Sequence, residues 1–152
     1  METIASHIKT IISIASGLLG IGLLITLHEF GHFLFCKLFN VQTPSFSIGI
    51  GPRIISKKIG ETEFKISAIP LGGYVEMAGS AEIGQGEQKL AKTAGDRSFT
   101  SKPFYQKLLI MLGGILFNLL FSYIAIALVL FFGAPKSRFL YPANATTSIQ
   151  AI

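Results

Sequence analysis

The sequence predicts a membrane α-helical protein with a β-rich insert: two transmembrane helices flanking a cytoplasmic, membrane-associated β-hairpin or sheet region. Three observations predict it. Half of the 152 residues are hydrophobic and only 14% are charged, against about a quarter in ordinary soluble domains. The apolar residues gather into two blocks, residues 11–39 and 108–134, each long enough to cross a ~30 Å hydrocarbon core. Between the blocks, short β-branched and aromatic runs alternate with polar residues and are punctuated by glycine.

Residues 1–10 form a short polar lead with Glu2, His7 and Lys9. Residues 11–27 carry no charge, and the apolar character continues to Phe39, giving about 43 Å of helix. A cleaved signal segment would be shorter and followed by a small-x-small site, which is missing between Ile25 and Asn40, so a retained helix is expected. Inside it lies His28-Glu29-Phe30-Gly31-His32. On a helix, residues four apart share one face about 5.4 Å apart, so His28 and His32 can grip one Zn²⁺ while Glu29 borders the same site. Such an ion polarises a carbonyl and acidifies water, and the carboxylate takes the proton: the chemistry of amide hydrolysis. The alternative is a pair of core histidines hydrogen-bonded to neighbouring helices. A carboxylate in a lipid-embedded helix costs roughly 3 kcal/mol on insertion scales, which favours a functional role. Cys36, eight residues past His28, is either a third ligand or a small buried hydrophobe, and the second is the commoner use of a lone cysteine.

Residues 40–79 are expected as a β-region. Ser45-Phe-Ser-Ile-Gly-Ile-Gly-Pro52 and Arg53-Ile-Ile-Ser-Lys-Lys58 precede a turn at Gly60, and Glu61-Thr-Glu-Phe-Lys-Ile-Ser-Ala-Ile69 alternates polar and apolar. Pro70-Leu-Gly-Gly-Tyr-Val75 adds a turn and further strand. Such a region either lies on the membrane surface or dips toward the histidines, where an extended substrate can pair with its edge. Residues 80–107 read as a polar linker ending in an interfacial anchor of cations and aromatics, from Arg97 to Lys107. Residues 108–134 form the second spanning helix, with Gly113, Gly114, Asn118 and Ser122 as a small, polar stripe suited to close packing. Asn118 is either packing glue or an amide that holds a substrate backbone or an oxyanion. Residues 135–152 form an extracytoplasmic tail, in which the glycosylation-like triplet Asn144-Ala-Thr146 is read as a chance match.

Net charge is +5, and ten of the thirteen Lys/Arg lie between Lys37 and Lys107. Lys37, Lys102 and Lys107 flank the membrane ends of the middle loop, which places the loop in the cytoplasm and both termini outside. No Arg-rich stretch with interleaved aromatics points to nucleic acid. A proton-relay component of a small transporter is the competing class for His28 and Glu29, and the Gly-rich β-motifs argue against it.

Four stretches carry a resemblance: His28-Glu-Phe-Gly-His32; Phe46-Ser-Ile-Gly-Ile-Gly-Pro52; Gly60-Glu-Thr-Glu-Phe-Lys-Ile-Ser-Ala-Ile-Pro-Leu-Gly-Gly-Tyr-Val-Glu-Met-Ala-Gly79; and Gly114-Ile-Leu-Phe-Asn118. Together they resemble the site-2 protease family of intramembrane zinc metalloproteases, in its bacterial regulator-of-sigma-E branch. The resemblance implies that His28 and His32 are zinc ligands and Glu29 the catalytic base, with Asn118 near the active site. It also implies transmembrane protein substrates, regulated intramembrane proteolysis and residence in the bacterial inner membrane. Two departures stand out. Ile115 occupies a position where this branch has proline. The family's third ligand, an aspartate within Leu-Asp-Gly on a later helix beyond PDZ domains, is missing, and Asp96, the sole aspartate, lies in the linker. The expectation is therefore the N-terminal part of such a protease. Its alternatives are one half of a split enzyme whose partner chain supplies the aspartate, or an inactive interaction module or remnant.

Overall fold

The computed structural model describes residues 2–80 and 95–133. Part of the expected linker, residues 81–94, and all of the expected tail, residues 135–152, lie outside the described residues. The chain divides into two compact units, Met1–Leu120 and Phe121–Ile152.

The first unit opens with α1, Glu2–Leu38, which begins nine residues before the apolar block. The polar lead is thus helical: it holds no proline or glycine to stop helix propagation from the apolar segment. Residues 6–21 are exposed throughout, and packing starts at Gly22. At its other end α1 closes on Asn40, whose φ of +52° is the left-handed conformation that asparagine tolerates. Val41 N–H donates to the Cys36 carbonyl at 2.7 Å and Asn40 N–H to the Lys37 carbonyl at 3.2 Å. This is a Schellman closure, and its hydrophobic contact is made by Cys36 and Val41, both fully buried.

Strands β1, Ser45–Ile59, and β2, Thr62–Glu76, form an antiparallel hairpin around Gly60, whose φ is +62°. Each strand is bent in half and used twice. Residues 53–59 run against residues 62–67, whereas residues 45–48 run against residues 73–76 and also register with residues 63–66, there with the numbers rising together. The bends fall at Gly49 and Gly51 in β1, with φ of +82° and +91°, and at Pro70 to Gly72 in β2. Glycine accepts the first two conformations without penalty, and Pro70 has no N–H to strand at a break in the ladder.

The folded sheet lies along α1. Phe33, Phe46 and Phe64 form a three-ring cluster with centroids 5.3–5.8 Å apart, and Phe46 and Phe64 are register partners. Around it Cys36, Val41, Val75, Met77 and Ile110 complete a small core. The Pro70 carbonyl sits against the α-carbon of Gly22, where any side chain would collide with it. Gly22 lies about 24 Å from the end of α1, sixteen residues at 1.5 Å each, so the sheet accompanies the helix well past its last turns. Backbone bonds then lace the chain inward: Gln42 N–H to Arg97 O, Ala78 N–H to Gln42 O and Phe99 N–H to Ala78 O, at 2.7–2.9 Å.

Helix α2, Phe104–Phe132, starts at Pro103, whose carbonyl accepts from Gln106 and Lys107. The sequence places its start at Leu108; the helix begins earlier, at Phe104, with its first turn closed on the Pro103 carbonyl. Close contact with α1 occurs where glycines face each other: a side chain at Gly31 would meet the Gly113 backbone, and one at Gly113 would come within 2.7 Å of the Phe35 ring. Phe30 and Phe117 add an edge-to-face pair at 5.5 Å. In the second unit, helical residues 121–132 are all exposed, and Gly133, φ +87°, ends the helix. Ser122, expected in the packing stripe, is exposed there. Both α1, over Ser6–Leu38, and α2 are long and apolar enough to cross a membrane.

Candidate metal centre

His28, Glu29 and His32 line one cavity of about 360 Å³. Helical spacing puts both imidazoles on one face of α1, with ring centroids 4.7 Å apart and planes at 77°. The other walls come from three directions. Residues 73–75 of β2 contribute Gly73, Tyr74 and Val75; Met77, Ser80 and Phe99 come from the laced segments; Met111 and Ile115 come from α2. Gly73 matters sterically: a β-carbon there would lie 2.8 Å from the Ser47 carbonyl and 3.6 Å from Glu29 Cγ. The missing side chain at residue 73 thus lets β2 close against the Ser47 backbone, and the same turn of strand lies in van der Waals reach of Glu29.

Helix α2 holds both imidazoles from behind. His32 Nδ1 lies 2.7 Å from the Ile110 carbonyl. A carbonyl only accepts, so Nδ1 carries the hydrogen and Nε2 keeps its lone pair, as a ligand requires. His28 Nδ1 lies 3.4 Å from the Asn118 side-chain amide. A β-carbon at Gly114 would come within 2.6 Å of the ring.

The remaining candidates separate clearly. Cys36 is fully buried in the phenylalanine core and absent from the cavity wall, so it is the small hydrophobe and not the ligand. Asp96 is exposed in the short 3₁₀ turn Gly95–Arg97. Asn118 touches His28 but does not line the cavity, unlike Ile115. Among the described residues no third His, Cys, Asp or Glu joins the two histidines as a ligand cluster. The donor set thus fits two of the three protein ligands that a catalytic zinc site uses. Sequence reasoning missed Gly31, Gly73 and Ile110; Gly31 sits inside the motif, but its role depends on a helix eighty residues away.

An apolar helix that presents two imidazoles and a carboxylate of a His-Glu-x-x-His motif to one cavity is the arrangement of a metallopeptidase. A family model described as peptidase family M50 matches residues 16–151, and the chain belongs to that family, the site-2 proteases. The chain is 34% identical over 142 residues to the regulator of sigma E protease of Haemophilus influenzae, covering 91% of this chain and 30% of that protein. Proteins named as zinc metalloproteases are similar too: one from Thermotoga maritima is 43% identical over 100 residues, 66% of this chain and 19% of the relative. Another from Chlamydia trachomatis is 36% identical over 135 residues, 86% of this chain and 22% of the relative. The chain spans about a fifth to a third of the length of these relatives.

Proposed function

We propose that this chain carries the motif-bearing portion of an intramembrane zinc endopeptidase that cleaves transmembrane segments of protein substrates. The observation that carries this reading is the shared cavity of His28, Glu29 and His32, walled on one side by the edge of β2. His28 and His32 would hold Zn²⁺, which when bound supplies Lewis acidity to a scissile carbonyl and to water. Glu29 is the proton carrier: its carboxylate takes a proton from water and returns it to the departing amide nitrogen. Residues 73–75 are the binding element. Among the described residues this edge is paired on one side only, with residues 45–48, so an extended peptide can add to it beside Glu29. Adding a strand also satisfies the peptide groups of a transmembrane helix that has unwound to reach the site.

The sheet is read as entering the cytoplasmic side of the inner membrane beside α1, with both chain termini outside. Arg53 supports this placement, because its guanidinium reaches back along the hairpin to Glu63, 3.1 Å away, as a cation does when its backbone lies deeper than its charge. The third ligand is supplied from outside the described residues, by a further segment or by a partner chain.

Cleavage of a model transmembrane substrate tests the reading. Glu29→Gln abolishes cleavage and retains zinc; cleavage undiminished by Glu29→Gln overturns it. A non-hydrolytic interaction module is the second reading, favoured by the two-ligand donor set. Zinc-independent substrate capture without any Glu29-dependent cleavage supports that module.

A further inference from the structure

We propose that Asn118 is the positioning residue of His28: its side-chain carbonyl accepts the Nδ1–H, which leaves Nε2 bare. The proposal deepens the zinc reading, on which its functional consequence rests. Two observations carry it. The Asn118 side chain lies 3.4 Å from His28 Nδ1 with its nitrogen end toward the ring, and its Oδ1 is buried without a hydrogen-bond partner. The two ends of a carboxamide have the same shape, and a half-turn exchanges them. In the first orientation the amide donates to Nδ1, which forces the hydrogen onto Nε2 and strands Oδ1. In the second, Oδ1 gains a donor, Nδ2 takes the buried position that Oδ1 held, and the ring gains the tautomer that a metal ligand needs.

The arrangement matches that of its neighbour. His32 has the same tautomer imposed on it by the Ile110 carbonyl. Ile110, Gly114 and Asn118 recur at intervals of four, so one face of α2 supplies an acceptor for each imidazole with a glycine between them to admit the His28 ring. Asn118 thereby acts on the ligand and not on the substrate, in contrast to the oxyanion role that its residue type suggests.

Long-range ¹H–¹⁵N NMR of the imidazoles, recorded on the metal-free full chain in micelles at a pH that keeps both rings neutral, reads the tautomers directly. Both His28 and His32 are expected as Nδ1–H. Asn118→Leu shifts His28 toward Nε2–H and leaves His32 unchanged, which also reports an intact fold, whereas Asn118→Asp preserves the Nδ1–H form. Zinc affinity falls about 10–100-fold in Asn118→Leu and is retained in Asn118→Asp. An Nε2–H His28 in the wild-type chain overturns the proposal by itself, even should Asn118→Leu fail to fold. A His28 tautomer unmoved by Asn118→Leu overturns it as well. Correct tautomers in a wild-type chain that binds no zinc sink the zinc reading and leave the Asn118 assignment standing.

Discussion

His32 and Ile110 are joined by a 2.7 Å hydrogen bond between the imidazole Nδ1 and a backbone carbonyl seventy-eight residues away. That contact ties a ring of α1 to the backbone of α2, and it requires the two helices to approach closely. The approach depends on Gly31, Gly113 and Gly114, none of which leaves room for a methyl group.

Helix spacing is therefore the first thing to perturb. Gly31→Ala presses a methyl group into the Gly113 backbone and should destabilise the chain by about 1–3 kcal/mol, the range for overpacking. Gly114→Ala collides with the His28 ring and should in addition weaken zinc binding. Thermal unfolding in detergent and metal titration read the two effects. A Gly31→Ala chain as stable as wild type would show that the helices can part at no cost.

Glu61 joins the hairpin turn to the last turn of α1 and to the segment that leads into α2. It accepts from Lys37 and Arg97, each at 2.6 Å, and Arg97 also donates to Asn40 at 3.1 Å. Burial opposes its ionisation, but the Lys37 and Arg97 bonds outweigh burial and hold its carboxyl below the ordinary glutamate value of 4.5. A depressed pKa means that the stabilisation is present above the unfolded value and is lost as pH falls through the folded one. Wild type should exceed Glu61→Gln by about 1 kcal/mol at neutral pH, less in high salt, with the difference vanishing in acid. Unfolding curves at several pH values check this. A gap that widens below pH 4.5 would contradict it.

The depth of the sheet is open to direct measurement. Pro70 meets Gly22 near the middle of the apolar stretch Ser6–Leu38, so residues around the bend should face lipid, whereas the Gly60 turn, beside Lys37 through Glu61, should face water. A spin label on Ile69→Cys, which is 44% exposed, should be relaxed by oxygen and shielded from aqueous quenchers, with the reverse for Gly60→Cys. Cys36 is fully buried and stays unlabelled. Equal water access at both sites would place the sheet on the membrane surface.

What the sequence disclosed depended on how local the signal was. The His28–His32 pair, the hairpin turn at Gly60 and the existence of two apolar helices are set by spacings of a few residues and are present, although both helices start earlier than the apolar blocks, at Glu2 and Phe104. Gly113 and Gly114 pack closely as their stripe suggested, whereas Ser122 is exposed in the second unit. The doubled use of each strand was not legible: period-2 alternation identifies a strand but not its partner, and residues 45–48 acquire two partners only because Gly49 and Pro70 bend the hairpin. Nor was the hold on His32 legible, since a backbone carbonyl such as that of Ile110 leaves no mark in composition. The closure at Asn40 was hidden for a similar reason, with asparagine standing where glycine is the usual sign.

The central claim is that neighbouring imidazoles on α1 hold a divalent ion beside Glu29. Zinc content of the purified chain in detergent, compared with His28→Ala, His32→Ala and Glu29→Gln, tests it most directly. The account predicts bound zinc in wild type and Glu29→Gln and its loss in both histidine variants. Zinc bound as tightly after either histidine is removed as in wild type would contradict it.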